Sequence, residues 1–195
     1  FATDSCTITH GSTVATNALL ERKGATVALV TTAGFEDILE IARQNRQSLY
    51  DLKVDKPPPL IARENIFGVS ERILHDGTVE RRPTRREIEQ IARKILAGGC
   101  DSVAVCCLHA YRNPENEQVV AGFLADLLNI PVCASHQVLP TYREYERFST
   151  TSVNAFVSPV MGAYLKEVGN HLPDAHLRIM QSNGGSISAS QARAE

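Results

Sequence analysis

Two kinds of apolar pattern alternate along this chain. Short unbroken apolar runs stand at residues 27–31, 102–108 and 131–134. Runs of that length, rich in β-branched residues, predict strands buried on both faces. Between them, apolar residues recur at helical spacing. Phe35, Ile38, Leu39 and Ala42 mark one stripe, and Ile88, Ile91, Ala92 and Ile95 mark another. The second stripe follows Thr84-Arg85-Arg86-Glu87, a capping box, and stops at Gly98-Gly99. Asn113-Pro114 predicts an N-cap followed by proline at the first helical position, opening a helix that runs to Leu128. Residues 14–23 predict a helix with Gly24 as its left-handed cap. Residues 7–10 and 176–181 predict two further strands, the second closed by Asn183-Gly184-Gly185. Residues 142–172 suit a helix, but Pro159 predicts a break near Ser158.

The remaining punctuation is equally local. Pro57, Pro58 and Pro59 make residues 53–62 a connector. Residues 66–74 and 78–82 flank Asp76-Gly77 and predict a hairpin. Its strands carry Glu71, Arg72, Glu80, Arg81 and Arg82, which predict a solvated, peripheral position. Apolar strands alternating with amphipathic helices give an α/β fold with a mostly parallel sheet flanked by helices.

Composition narrows the function. Of 195 residues, 43% are hydrophobic and 22% charged, which argues against disorder. Twenty Lys and Arg against 22 Asp and Glu leave a net charge of -2, without the basic excess of a nucleic-acid binder. No apolar run reaches the roughly 18 residues of a membrane helix, and no secretory signal is visible. Five cysteines, two of them adjacent at Cys106 and Cys107, suit buried thiols of a cytoplasmic protein better than a disulfide framework. Cys107 and His109 stand two apart, but no second pair stands at zinc-ligand spacing, so no metal site is expected.

Three segments carry candidate chemistry, each with two readings. His10-Gly11-Ser12-Thr13 sits where a strand gives way to a helix, at the strand end where α/β sheets bind ligands. Its hydroxyls either hold an anion or cap the helix. Asn183-Gly184-Gly185-Ser186 either admits a phosphate or substrate against bare backbone or forms an ordinary turn. Arg143-Glu144-Tyr145-Glu146-Arg147 puts two guanidinium groups on one helical face, for anion binding or as a solvated, salt-bridged surface. Arg43, Gln44 and Arg46 invite the same pair of readings.

These segments together resemble a known family. The string His10-Gly11-Ser12-Thr13-Val14-Ala15-Thr16-Asn17-Ala18-Leu19-Leu20-Glu21-Arg22-Lys23-Gly24-Ala25 carries most of the likeness. Arg143-Glu144-Tyr145-Glu146-Arg147 with Val153-Asn154-Ala155, and Met180-Gln181-Ser182-Asn183-Gly184-Gly185, complete it in order. The chain resembles the hydantoinase A / 5-oxoprolinase family, to which N-methylhydantoinase A and acetone carboxylase beta subunits belong. Ser12 stands where that family usually has Thr, keeping the hydroxyl.

The resemblance implies an actin-like, ribonuclease-H-related ATPase fold. It implies that ATP, with Mg, activates a cyclic amide of hydantoin or 5-oxoproline type, or a ketone. A hydantoinase B-like partner then completes the reaction. Residues 1–158 are expected to be the N-terminal-type α/β region, and 159–195 the start of the following ATPase domain. The family's Asp-x-Gly-Gly-Thr phosphate loops are expected to precede Phe1 and follow Glu195, making this an internal fragment, inactive alone. Candidate substrate or nucleotide contacts are His10, Gly11, Ser12, Thr13, Asn17, Arg43, Arg143, Arg147, Asn183, Gly184 and Gly185. The alternative is a non-catalytic α/β interaction domain contacting a partner subunit.

Overall fold

A computed structural model describes residues 6–44, 58–172, 175–181, 184–189 and 191–194. In chain order the elements begin with β1 (Thr7–His10), α1 (Val14–Leu20), β2 (Val27–Thr32), α2 (Ile38–Ile41) and β3 (Ile66–Val69). Next come β4 (Arg72–Ile73), β5 (Val79–Arg81), α3 (Arg85–Ala97), β6 (Ser102–Cys106) and α4 (Glu115–Leu127). The chain closes with β7 (Val132–Ala134), α5 (Ser135–Val138), α6 (Glu144–His171), β8 (His176–Met180), β9 (Ser186–Ser188) and α7 (Gln191–Ala194). Two compact units result. One holds residues 26–155, and the other joins 1–25 with 156–195.

The unit of residues 26–155 is built on a four-stranded sheet in the order β3-β2-β6-β7, with every neighbouring pair parallel. Each residue of β2 and β6 is buried, as a central strand covered on both faces requires. On one face Ala28, Val30, Val103 and Val105 pack against Ile88, Ile91 and Ile95 of α3 and against Val120 and Leu124 of α4. Each such branched side chain, fully buried, contributes roughly 1.5–3 kcal/mol. The early turns of α6 cover Ser102 and Cys106: the Ser102 hydroxyl donates to the Ala155 carbonyl at 2.7 Å, and Thr151 bonds the Cys106 side chain. The stripe Ile88, Ile91, Ala92, Ile95 is buried as its spacing predicts.

The other unit carries a three-stranded sheet in the order β1-β8-β9. β1 and β8 are parallel, with Thr7 opposite His176 and His10 opposite Ile179. β9 returns antiparallel to β8.

Several local expectations are corrected. α6 does not break at Ser158; Pro159 lies inside a continuous helix. Proline lacks the N–H that would reach the Ala155 carbonyl, and that carbonyl takes the Ser102 hydroxyl instead. The next carbonyl, of Phe156, accepts the Ala25 N–H at 2.9 Å. With these groups satisfied, the helix continues. α1 ends at Leu20, three residues before the predicted end. Arg22, at φ 53°, takes the left-handed position, with Lys23 N–H donating to the Ala18 carbonyl at 2.9 Å. Gly24 serves packing: a Cβ there would sit 2.5 Å from Cδ1 of Phe156.

α2 is a single turn, because Ala42 adopts φ 51° and stops it. The Thr84 hydroxyl accepts from Glu87 N–H, but the Glu87 carboxylate reaches the Ser70 N–H rather than closing a capping box. Asn113 still accepts from the Glu115 N–H at 3.0 Å, although Pro114 holds the cap position and α4 ends at Leu127. Two strands end early, buried β6 at Cys106 and the largely exposed β8 at Met180. Residues 66–69 join the main sheet as β3, so only β4 and β5 form the hairpin, as a two-stranded sheet outside the parallel one. Glu71 is buried rather than solvated. Of the proline connector, residues 58–62 form neither helix nor strand; residues 53–57 and Arg46 lie outside the described residues.

Candidate functional site

The parallel pairing of β1 with β8 settles where two of the candidate segments leave the sheet. With His10 opposite Ile179, both strands end at the same edge, where Gly11 follows His10 and Gln181 follows Met180. Gly11 is exposed, and a Cβ there would meet no atom within 4 Å. Gly184 has φ 88°, a conformation open to glycine; its N–H donates to the Gln181 carbonyl at 3.1 Å, and Gln181 N–H donates to the Gly185 carbonyl at 2.8 Å. Asn183 lies outside the described residues.

The hydroxyls beside Gly11 do not act as ordinary caps. Thr13 occupies the N-cap position of α1 without a capping hydrogen bond; its Oγ1 accepts from the Asn17 side-chain amide at 3.5 Å. Ser12 Oγ accepts from the Val14 N–H at 3.2 Å. His10 is half-buried, with Nε2 2.5 Å from the Tyr164 hydroxyl. A depression of about 500 Å³ lies at the other end of these strands, against Thr7, His176 and Leu177, and so away from Gly11 and Gly184.

The arginine candidates separate. Arg43 is exposed and ion-paired with Glu146. Arg143 is exposed and precedes α6. Arg147 is fully buried, which corrects the expectation of a solvated face shared with Arg143. Its Nη1 donates to the Cys107 carbonyl at 2.9 Å and to Ser135 Oγ at 3.0 Å. Tyr111 and Phe148 place their rings 5.9 and 5.5 Å from its guanidinium carbon.

Arg147 belongs to a buried polar cluster at the carboxyl ends of the four-stranded sheet, of which the sequence singled out Arg147 as a candidate contact but not its partners Glu117, Ser135 and His136. Its centre is Glu117, fully buried on the first turn of α4. Four donors converge on its carboxylate: Cys107 N–H at 2.6 Å, Ser135 Oγ–H at 2.8 Å, His136 N–H at 2.8 Å and His136 Nδ1 at 2.7 Å. An acceptor-only carboxylate suits that set. Glu117 thus ties the end of β6 to the end of β7.

Beside it, Glu71 receives the Thr32 hydroxyl and, at 2.8 Å, the Asn116 amide. Burial pushes the Glu71 carboxyl above its ordinary range, partly offset by those donors. His109 adopts φ 55°, and burial lowers its imidazole's affinity for a proton. For Glu71, Cys107 and Ser135 the sequence signal was position: each stands just past a strand of the parallel sheet. Among the described residues, no group of three or more His, Cys, Asp or Glu side chains is placed to hold a metal ion. No described helix is long and apolar enough to cross a membrane.

Comparison with known proteins places this geometry. The pattern described as the hydantoinase/oxoprolinase N-terminal region matches residues 3–128, and the hydantoinase/oxoprolinase pattern matches residues 147–195. The chain belongs to the hydantoinase/oxoprolinase family. It is 36% identical over 186 residues to caprolactamase subunit alpha of Pseudomonas jessenii, covering 90% of this chain and 26% of that one. It is 28% identical over 207 residues to the 5-oxoprolinase of Saccharomyces cerevisiae, covering 91% of this chain and 16% of that one. Among solved structures, the ATP-dependent caprolactamase from Pseudomonas jessenii superimposes with a TM-score of 0.86 at 34% identity, covering 95% of this chain and 28% of that one. The chain therefore spans under a third of the length of these hydantoinase/oxoprolinase relatives.

Proposed function

We propose that this chain is part of an ATP-dependent enzyme that activates a cyclic amide, of hydantoin or 5-oxoproline type, for hydrolysis. The observation that carries the reading is the parallel pairing of β1 with β8, which ends the strands leading into residues 11–13 and into Gln181 at one edge. Ligands of open α/β sheets bind at such edges. ATP would supply the phosphoryl group that turns the amide oxygen into a leaving group. The residues present fit a phosphate: two hydroxyls, a glycine with open space around its Cα, and a loop glycine at positive φ. Ser12 and Thr13 would orient the transferring group, Gly11, Gly184 and Gly185 would let it approach the backbone, and His10, held by Tyr164, would border it. Asn17 would hold the Thr13 hydroxyl in place. Among the described residues no group of three or more His, Cys, Asp or Glu side chains is placed to hold magnesium, and no step is derived through it.

On the same reading, residues 1–158 are the N-terminal α/β region of an actin-like ATPase, and residues 159–195 open its next domain. A hydantoinase B-like subunit or domain completes the ring opening. The test is ATP turnover by the intact protein with hydantoin, 5-oxoproline or caprolactam added in turn, for the parent and for Ser12→Ala/Thr13→Ala. We expect one cyclic amide to stimulate turnover and the double substitution to lower it about a hundredfold. Turnover indifferent to every cyclic amide overturns the activity. Stimulated turnover untouched by the substitutions overturns the site.

A further inference from the structure

Arg147 carries an open recognition edge. Its guanidinium is fully buried and pinned through Nη1 alone, by the Cys107 carbonyl and Ser135 Oγ. Nε and Nη2 have no hydrogen-bond partner among the described residues. Those two nitrogens form the side of the fork whose parallel N–H bonds match the two oxygens of a carboxylate. A buried charged donor left unpaired costs more than a neutral one, so this edge calls for an acceptor. Within the same cluster His109 Nδ1 and Asn116 Oδ1 are also buried without a partner among the described residues. His109 sits at positive φ directly after the central strands, a strained conformation characteristic of functional loops.

The surroundings lead outward. The guanidinium lies under Tyr111, half-buried, whose ring meets His109 on one side and the exposed Tyr142 on the other, at 6.2 and 6.1 Å between centroids. A chain of packed aromatic rings thus links exposed Tyr142 through Tyr111 to the buried guanidinium.

We infer that the Nε/Nη2 edge of Arg147, beneath Tyr111 and beside His109, is a binding site for the carboxylate group of a small molecule. The charge count favours a monoanion. The guanidinium already shares a hydrogen-bonded chain with the Glu117 carboxylate through Ser135, so a carboxylate adds one negative charge to this buried pair where a phosphate dianion would add two. The site lies wholly within residues 26–155 and does not rest on the reading of the β1–β8 edge.

The test follows the Arg147 Nε–H resonance by heteronuclear NMR on the intact protein, assigned through its contacts to the Tyr111 and Phe148 rings. Acetate and inorganic phosphate are titrated separately. Acetate should shift the resonance saturably and phosphate should shift it less at equal concentration. Arg147→Lys, which keeps the charge and loses the fork, should weaken acetate binding at least about tenfold. The wild-type titration decides even if that variant fails to fold. A resonance unmoved by millimolar acetate overturns the site, as does a stronger response to phosphate. So does a resonance shifted by Glu144→Gln and indifferent to acetate, since the fork would then be served by a carboxylate of the chain itself.

Discussion

Ser102→Ala tests why α6 tolerates a proline. The Ala155 carbonyl loses its helical donor because residue 159 is proline, and Ser102 Oγ–H replaces that donor at 2.7 Å. Ser102 and Ala155 are both fully buried, so no water stands in. Removing the hydroxyl leaves the carbonyl unpaired in the core, which costs about 2 kcal/mol, the middle of the range for a buried polar group left without a partner. In a protein of this size that lowers Tm by roughly 4–8 °C. Pro159→Ala restores an N–H four residues beyond Ala155. In that background the hydroxyl is redundant, and Ser102→Ala should cost under about 0.5 kcal/mol. The coupling of about 1.5 kcal/mol is read from a double-mutant cycle by urea unfolding. Equal costs in the two backgrounds would refute the compensation, and a parent cost near zero would show that the carbonyl finds another donor.

Two further outcomes follow from buried groups. Burial, reinforced by the nearby Glu117 carboxylate, pushes the Cys106 and Cys107 thiols well above 9.0, so a thiol reagent at pH 8 should label exposed Cys6 in the native protein and spare both until unfolding; mass spectrometry of either one modified before unfolding would contradict this. Glu71 is held above its ordinary 4.5, so its favourable contribution is complete below that value and is lost as pH rises through the folded-state pKa. Glu71→Gln should therefore gain stability relative to the parent between pH 4.5 and 7.5, and a flat or falling difference in urea midpoint refutes it.

What the sequence made legible was whatever one segment decides for itself. The α3 stripe, the buried strands and the Asp76-Gly77 turn follow from periodicity and turn chemistry, and the structure has them within a few residues. The failures are places where a distant residue intervenes. Pro159 reads as a break until Ser102, far away in sequence, supplies the missing donor. Gly24 reads as a cap until the Phe156 ring is set against it. The charged run at 143–147 reads as surface because four of its five members are charged; only the loop after β6 and the start of α5 reveal that Arg147 points inward.

The same distinction explains why one candidate edge was visible in the sequence and the other was not. The β1–β8 edge is written in contiguous strings, because glycine and hydroxyl residues must follow each strand directly to shape a loop there. The Glu117–Arg147 cluster is written in single residues, one from each of several elements. A parallel strand buried on both faces has polar partners only where it ends. There its last N–H and C=O groups need side chains, and residues such as Glu117 and Arg147 supply them from helices whose remaining positions look amphipathic. Cys107 is the clearest case: its N–H goes to Glu117 and its C=O to Arg147, so one backbone unit holds a carboxylate and a guanidinium in fixed register. A cluster assembled in this way specifies the ends of β6 and β7 and the placement of α6 at once. It also fixes which edge of the guanidinium stays open. That is why the recognition argument rests on Nε and Nη2 of Arg147 rather than on the density of charge in its segment.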